Sequence, residues 1–150
     1  MEDWRRIDID KYDPDLQYEP DSNGYPDIPL SEVQTKIQNI RTYVSKGQFK
    51  DGLSYALSES PFGSTQPEAK TQYLISFIEL LTSVRQSEIT SIVKSLNSDE
   101  LDLLVSLIYR GMSLKDGQKQ GGVLLAWFDK TIEITGDGPI ARYLSDNRLL

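Results

Sequence analysis

From Val33 onward, large apolar side chains return every three or four residues in seven successive segments, and the breaks between them carry glycine, proline or capping residues. That spacing is the period of an α-helix burying one face, and the strict alternation of a half-buried strand is absent from this part of the chain. Ser31 is placed to cap a first helix with Val33, Ile37, Ile40 and Val44 on one face, and Gly47 supplies a left-handed stop. Phe49, Leu53, Ala56 and Leu57 mark a shorter helix that ends before Pro61. Thr65 and Glu68 read as a capping box opening a long helix through Ala69, Tyr73, Phe77, Leu80, Leu81 and Val84. Leu74, Ile75 and Ile78 widen its apolar stripe, so this helix is expected to be a hub covered on several sides.

The remaining four follow the same grammar. Ser87 precedes Ile89, Ile92, Val93 and Leu96, and Asn97 or Ser98 starts a helix with Leu101, Leu104, Leu107 and Ile108 that Gly111 is expected to end. Ser113 to Gly122, with three glycines and an Asp116-Gly117 turn signal, reads as a surface loop. Val123, Leu124, Trp127 and Ile132 define the next helix, and Pro139 sits in the first turn of a last one bearing Ile140, Tyr143 and Leu144. The expected fold is therefore all-α: about seven helices in an irregular bundle or short helical array, occupying residues 31–150. No repeat of tetratricopeptide or ankyrin type supports a regular solenoid.

Residues 1–30 differ in kind. Pro14, Pro20, Pro26 and Pro29 each interrupt a helix, and no helical period precedes them. The segment holds nine acidic and three basic side chains, which is −6 of the total charge of −7. Trp4, Ile7, Ile9, Tyr12, Leu16, Tyr18, Tyr25 and Ile28 set large apolar groups among the acids, and Ile7 to Asp10 alternates as an extended segment does. Composition alone fits either a solvated acidic tail or a docking peptide; the apolar anchors favour an extended docking arm over residues 1–30. Arg5 and Arg6, too short a run for a lipid or localisation patch, frame those anchors with polar contacts.

These features exclude several functions. Negative charge with scattered Lys and Arg argues against nucleic acid as a partner. The chain contains no cysteine, hence no disulfide or thiolate metal site, and no histidine, which removes Ser-His-Asp and Cys-His schemes. Phosphate-cradling glycine motifs are absent, since Gly117, Gly121 and Gly122 have the wrong spacing. Neither a secretory leader nor a membrane span is expected, because no stretch approaches about 18 consecutive apolar residues. Asp99, Glu100 and Asp102 form the densest acidic cluster of the helical part, but they lie in a first helical turn, where capping and the helix dipole account for them. Asp8, Asp10 and Glu19 imitate part of a calcium loop, yet Asp13 stands where the loop's turn needs glycine. Trp127 and Phe128 share helical spacing with Val123, Leu124 and Ile132 and read as core. No catalytic residue, metal site or cofactor is expected.

The run Trp4-Arg5-Arg6-Ile7-Asp8-Ile9-Asp10-Lys11-Tyr12-Asp13 resembles the N-terminal segment of subunit 5 of the actin-related protein 2/3 complex. It is joined, in the same order and spacing, by Leu103-Leu104 to Ile108-Tyr109-Arg110-Gly111, by Val123-Leu124-Leu125-Ala126-Trp127, and by Gly136 to Arg142. The resemblance implies an all-helical, non-catalytic subunit of a cytoplasmic assembly that nucleates branched actin filaments. It further implies a body packed on subunit 4 and the propeller subunit 1, and an arm reaching actin-related protein 2. Trp4, Arg5, Arg6, Ile7, Ile9 and Tyr12 would then be the partner-binding segment, and Leu104, Ile108, Tyr109, Arg110, Gly111, Leu125 and Trp127 the matched helical body. Between Leu16 and Pro29 the chain departs from the family's glycine- and acid-rich pattern, carrying Tyr18, Tyr25 and three prolines. That stretch is expected to act mainly as a tether. The rival reading is a free-standing helical adaptor that binds peptides transiently, for which a nearly neutral body and an arm would serve equally well.

Overall fold

The computed structural model describes residues 28–58, 60–61 and 67–145; the arm segment Trp4 to Tyr12 and the proposed cap Thr65 lie outside them. Among the described residues there are eight α-helices: α1 (Leu30–Ser45), α2 (Phe49–Ser58), α3 (Pro67–Ser83), α4 (Gln86–Val93), α5 (Ser98–Ser113), α6 (Lys115–Lys119), α7 (Gly121–Thr135) and α8 (Gly138–Ser145). The fold is all-α, as its apolar periodicity demands.

Local chemistry explains some of the helix ends. Gly47, at φ +71°, closes α1: its N–H donates to the Val44 carbonyl and that of Gln48 to Tyr43, each at 3.0 Å. This pair of bonds is the Schellman arrangement, and the positive φ it requires favours glycine. Asn97 caps α5 through a complete box, its Oδ1 accepting from the Glu100 N–H at 2.9 Å while Glu100 Oε2 accepts from the Asn97 N–H at 2.9 Å. Elsewhere the expected caps are displaced. Pro29 and Arg85 occupy the N-cap positions of α1 and α4, so Ser31 and Ser87 fall inside the helices.

α3 is the hub, touching α1, α2, α5, α6 and α7. Tyr73, Phe77, Leu80 and Leu81 are wholly buried along it, with Val33 and Ile40 of α1, Leu53 of α2, Leu104, Leu107 and Ile108 of α5, and Leu124 and Trp127 of α7 completing one core. Ile28 and Leu30 also pack, partly buried, against that core. The Tyr73 hydroxyl donates to the Ala56 carbonyl, so the polar end of the ring is satisfied inside.

Contacts give the helix directions. A Cβ on Gly52 would lie 2.8 Å from Tyr43 and 3.6 Å from Leu80, which puts these three at one level, and Asn39 bonds Tyr55 at 3.0 Å. α2 therefore runs antiparallel to both α1 and α3, and α1 and α3 are parallel. The Arg41–Glu79 ion pair at 3.6 Å agrees with this register.

Two expectations are corrected. α5 continues past Gly111 to Ser113, and the segment expected to be a surface loop contains α6, with Gly117 buried. A Cβ at Gly117 would fall 1.9 Å from the Gly111 carbonyl oxygen. Gly117 is thus required for helix approach, not for a turn, and its burial draws the segment onto α5 and α3.

Candidate interaction surface

The residues singled out by resemblance divide sharply. Leu104, Ile108 and Trp127 are wholly buried, and Gly111 is packed 3.4 Å, measured from a notional Cβ, from Ile78 Cδ1. These four build the core. Tyr109, Arg110 and Leu125 reach the surface, the first two half-buried and Leu125 58% exposed.

Tyr109 organises the surface around it. Its ring stacks on Tyr143 of α8 at 4.8 Å between centroids and meets the Phe128 ring of α7 edge-on at 5.4 Å. Such offset and T-shaped pairs each add about 0.5–1.5 kcal/mol beyond the area they bury. Beside them Arg142 grips Asp102 with two bonds, Nε at 2.5 Å and Nη2 at 2.7 Å, and the hydrogen bond to Asp102 raises the guanidinium's pKa above its ordinary value. α8 is thereby held to α5 by a ring stack and an ionic fork.

At this end two leucines remain in solvent. Leu125 stands one helical turn before Phe128, and Leu144 follows Tyr143 and is 77% exposed. Of the apolar residues expected along the last helix, Tyr143 turns to the Tyr109 ring and Leu144 stays outside. Elsewhere on the surface Lys130 pairs with Glu133 at 2.6 Å and Lys119 with Asp116 at 2.7 Å. Phe128, Tyr143 and the Asp102–Arg142 pair were not anticipated as a unit. Positions 34 and 40 residues apart carry no periodic signal, and Asp102, Phe128 and Tyr143 each lie just outside the matched motifs.

Other features offer no catalytic arrangement to weigh against this surface. Among the described residues no group of three or more acidic side chains is placed to hold a metal ion, and no helix is long and apolar enough to cross a membrane. The groove between α1 and α3, about 430 Å³, is lined by Gln34, Ile37, Gln38, Arg41, Gln72, Ile75 and Ser76, with no nucleophile–base pair. What the fold and this edge define is an all-helical module with two exposed leucines beside an aromatic cluster.

Comparison with known proteins gives that class a family. The family model of the ARP2/3 complex 16 kDa subunit (p16-Arc) matches residues 3–150. Actin-related protein 2/3 complex subunit 5 of Saccharomyces cerevisiae is 37% identical, the alignment covering 97% of each chain. The subunit 5-like protein of Bos taurus is 31% identical over 95% of this chain and 91% of its own, and subunit 5-B of Xenopus laevis is 28% identical over 97% and 93%. The chain belongs to the ARP2/3 complex 16 kDa subunit family.

Proposed function

We propose that this chain is a non-catalytic structural subunit of the actin-related protein 2/3 complex and serves actin branching by holding its neighbours in place. The observation that carries the reading is the extent of the family match, which spans both the N-terminal arm and the helical body. In this reading the body packs on sister subunits, subunit 4 and the propeller subunit 1, with the Leu125 and Leu144 edge among its contacts. The segment containing Trp4, Arg5, Arg6, Ile7, Ile9 and Tyr12 tethers actin-related protein 2. Its apolar anchors would each contribute about 2 kcal/mol or more when buried in a partner. The working compartment is the cytoplasmic actin cytoskeleton, and neither nucleic acid nor membrane insertion enters the role.

A reconstituted complex tests the two halves separately. Leu125→Asp combined with Leu144→Asp should leave the isolated chain helical while reducing its co-purification with sister subunits. Trp4→Ala, or Ile7→Ala with Ile9→Ala, should allow incorporation and lower nucleation. A chain that elutes from lysate as a small species and enters no large assembly would instead support the free adaptor and overturn the proposal.

A further inference from the structure

The groove between α1 and α3 holds a polar group that the fold leaves unused. Thr71, Thr82 and Ser83 of α3 each donate their hydroxyl to the carbonyl four residues back. Ser76 of the same helix is 2% exposed, yet its hydroxyl makes no hydrogen bond among the described residues. Since no fully buried side-chain polar atom there lacks a partner, that hydroxyl stays open to the groove it lines. A donor and acceptor held ready at the bottom of a cleft gains most from a ligand that pairs with it.

We propose that this groove binds an extended, uncharged segment of another protein, its backbone clasped by glutamines on both rims and a hydroxyl side chain lowered onto Ser76. The parallel course of α1 and α3 and the Arg41–Glu79 pair fix the register, and the same sequence separation sets Gln34 level with Gln72 and Gln38 level with Ser76. Buried Ile37 and Ser76 form the floor, one apolar and one polar, which suits a threonine-like group with its methyl on the first and its hydroxyl on the second. Gln34 and Gln38 stand exposed above them, four residues and so about 6 Å apart along α1. An extended chain turns a backbone N–H and C=O to the same side every second residue, about 6.6–6.8 Å, and a primary amide can both accept from and donate to such a unit. Main-chain bonds of this kind supply affinity, and the floor supplies specificity. Charge selects the occupant further: Arg41 alone among the lining residues is charged, and Glu79 compensates it at 3.6 Å, so the cleft matches a segment without charge.

NMR titration of the isotope-labelled full-length chain with a capped pentapeptide of alternating threonine and valine provides the test. The side-chain amide signals of Gln34, Gln38 and Gln72 and the backbone amide of Ser76 should shift saturably, while the amides of Leu125 and Leu144 stay in place. Ser76→Ala removes one oxygen from the floor and should weaken binding by about 2- to 12-fold, the worth of one hydrogen bond. Gln38→Ala, on the exposed rim where folding is not at stake, should weaken it likewise. The same peptide with N-methylated valines, deprived of backbone donors, should cause no saturable shift. Absence of shifts in the parent chain, or shifts that neither substitution diminishes, would overturn the proposal. Groove signals that move on simple dilution of the chain would overturn it too, by assigning the cleft to a second copy. The groove shares no residue with the Leu125 and Leu144 edge and the titration uses the free chain, so its outcome is independent of membership in the larger assembly.

Discussion

The indole Nε1 of Trp127 donates to the Leu81 carbonyl at 3.1 Å, tying α7 to the last turn of α3 inside the core. The final four carbonyls of a helix have no donor of their own, so this bond satisfies a group that burial would otherwise leave costly. Trp127→Ala should destabilise the chain by about 3–5 kcal/mol, through lost burial and the cavity left behind. Trp127→Phe retains most of the apolar volume and should cost about 1–3 kcal/mol, largely from the unpaired carbonyl. Urea unfolding followed by circular dichroism measures both, and equal costs for the two would contradict this division.

Gly117 and Gly111 should respond oppositely to alanine. At Gly117 the new Cβ meets backbone at 1.9 Å, so α6 must move and overpacking of about 1–3 kcal/mol or more follows. At Gly111 the added methyl meets side chains alone, Ile78 Cδ1 at 3.4 Å, Ile78 Cγ1 at 3.5 Å and Leu124 Cδ1 at 3.8 Å, and better helix propensity offsets those contacts. Parallel denaturation curves of the two variants provide the check, with Gly111→Ala near the parent.

Glu100 links a helix start to its neighbour. One carboxylate oxygen closes the cap with Asn97 and the other accepts from Ser54 Oγ of α2 at 2.5 Å. Asn97→Ala should cost about 1 kcal/mol as an ordinary lost cap. Glu100→Ala should cost more, and a double-mutant cycle with Ser54→Ala should show coupling between positions 46 apart in the chain. Strict additivity would mean that the Ser54 bond contributes nothing.

The exposed Lys130–Glu133 pair carries a pH signature. The hydrogen bond from Lys130, aided by its charge, lowers the Glu133 pKa below the usual carboxylate value. A carboxyl depressed in the folded state stabilises above its unfolded pKa, and that contribution is lost as pH falls through the folded one. Lys130→Gln should move the Glu133 titration upward in carboxyl-detected NMR while barely changing stability at neutral pH, since solvent screens a surface pair.

Periodicity makes the helical faces legible, as with Trp127 in the core and α3 as hub, because burial of one stripe is written directly into the spacing. Gly47 and Asn97 are legible for a similar reason: each acts on groups within four residues of itself. Gly117 misleads because a glycine beside an aspartate looks like a turn, whereas its actual reason lies on another helix. Ser31 and Ser87 mislead because both helices begin one residue earlier, at Leu30 and Gln86, behind Pro29 and Arg85, which make no side-chain cap bond, and the apolar stripe does not mark the first turn. Within the matched motif Ile108 lies on the face that spacing marks for burial, whereas the stacking of Tyr109 on Tyr143 is a tertiary outcome, decided by the arrival of α8.

The attachment of α8 has a consequence for motion. Among the described residues its main contacts are with α5 and α7, and the ring stack and ionic fork that hold it lie at the surface. Such an element can detach as one cooperative unit at a free energy below that of global unfolding. Its amide protons should therefore exchange with solvent well before those of α3. A neighbour that covered Leu144 would slow that exchange selectively, making the last helix a built-in reporter of whether the subunit is free or seated.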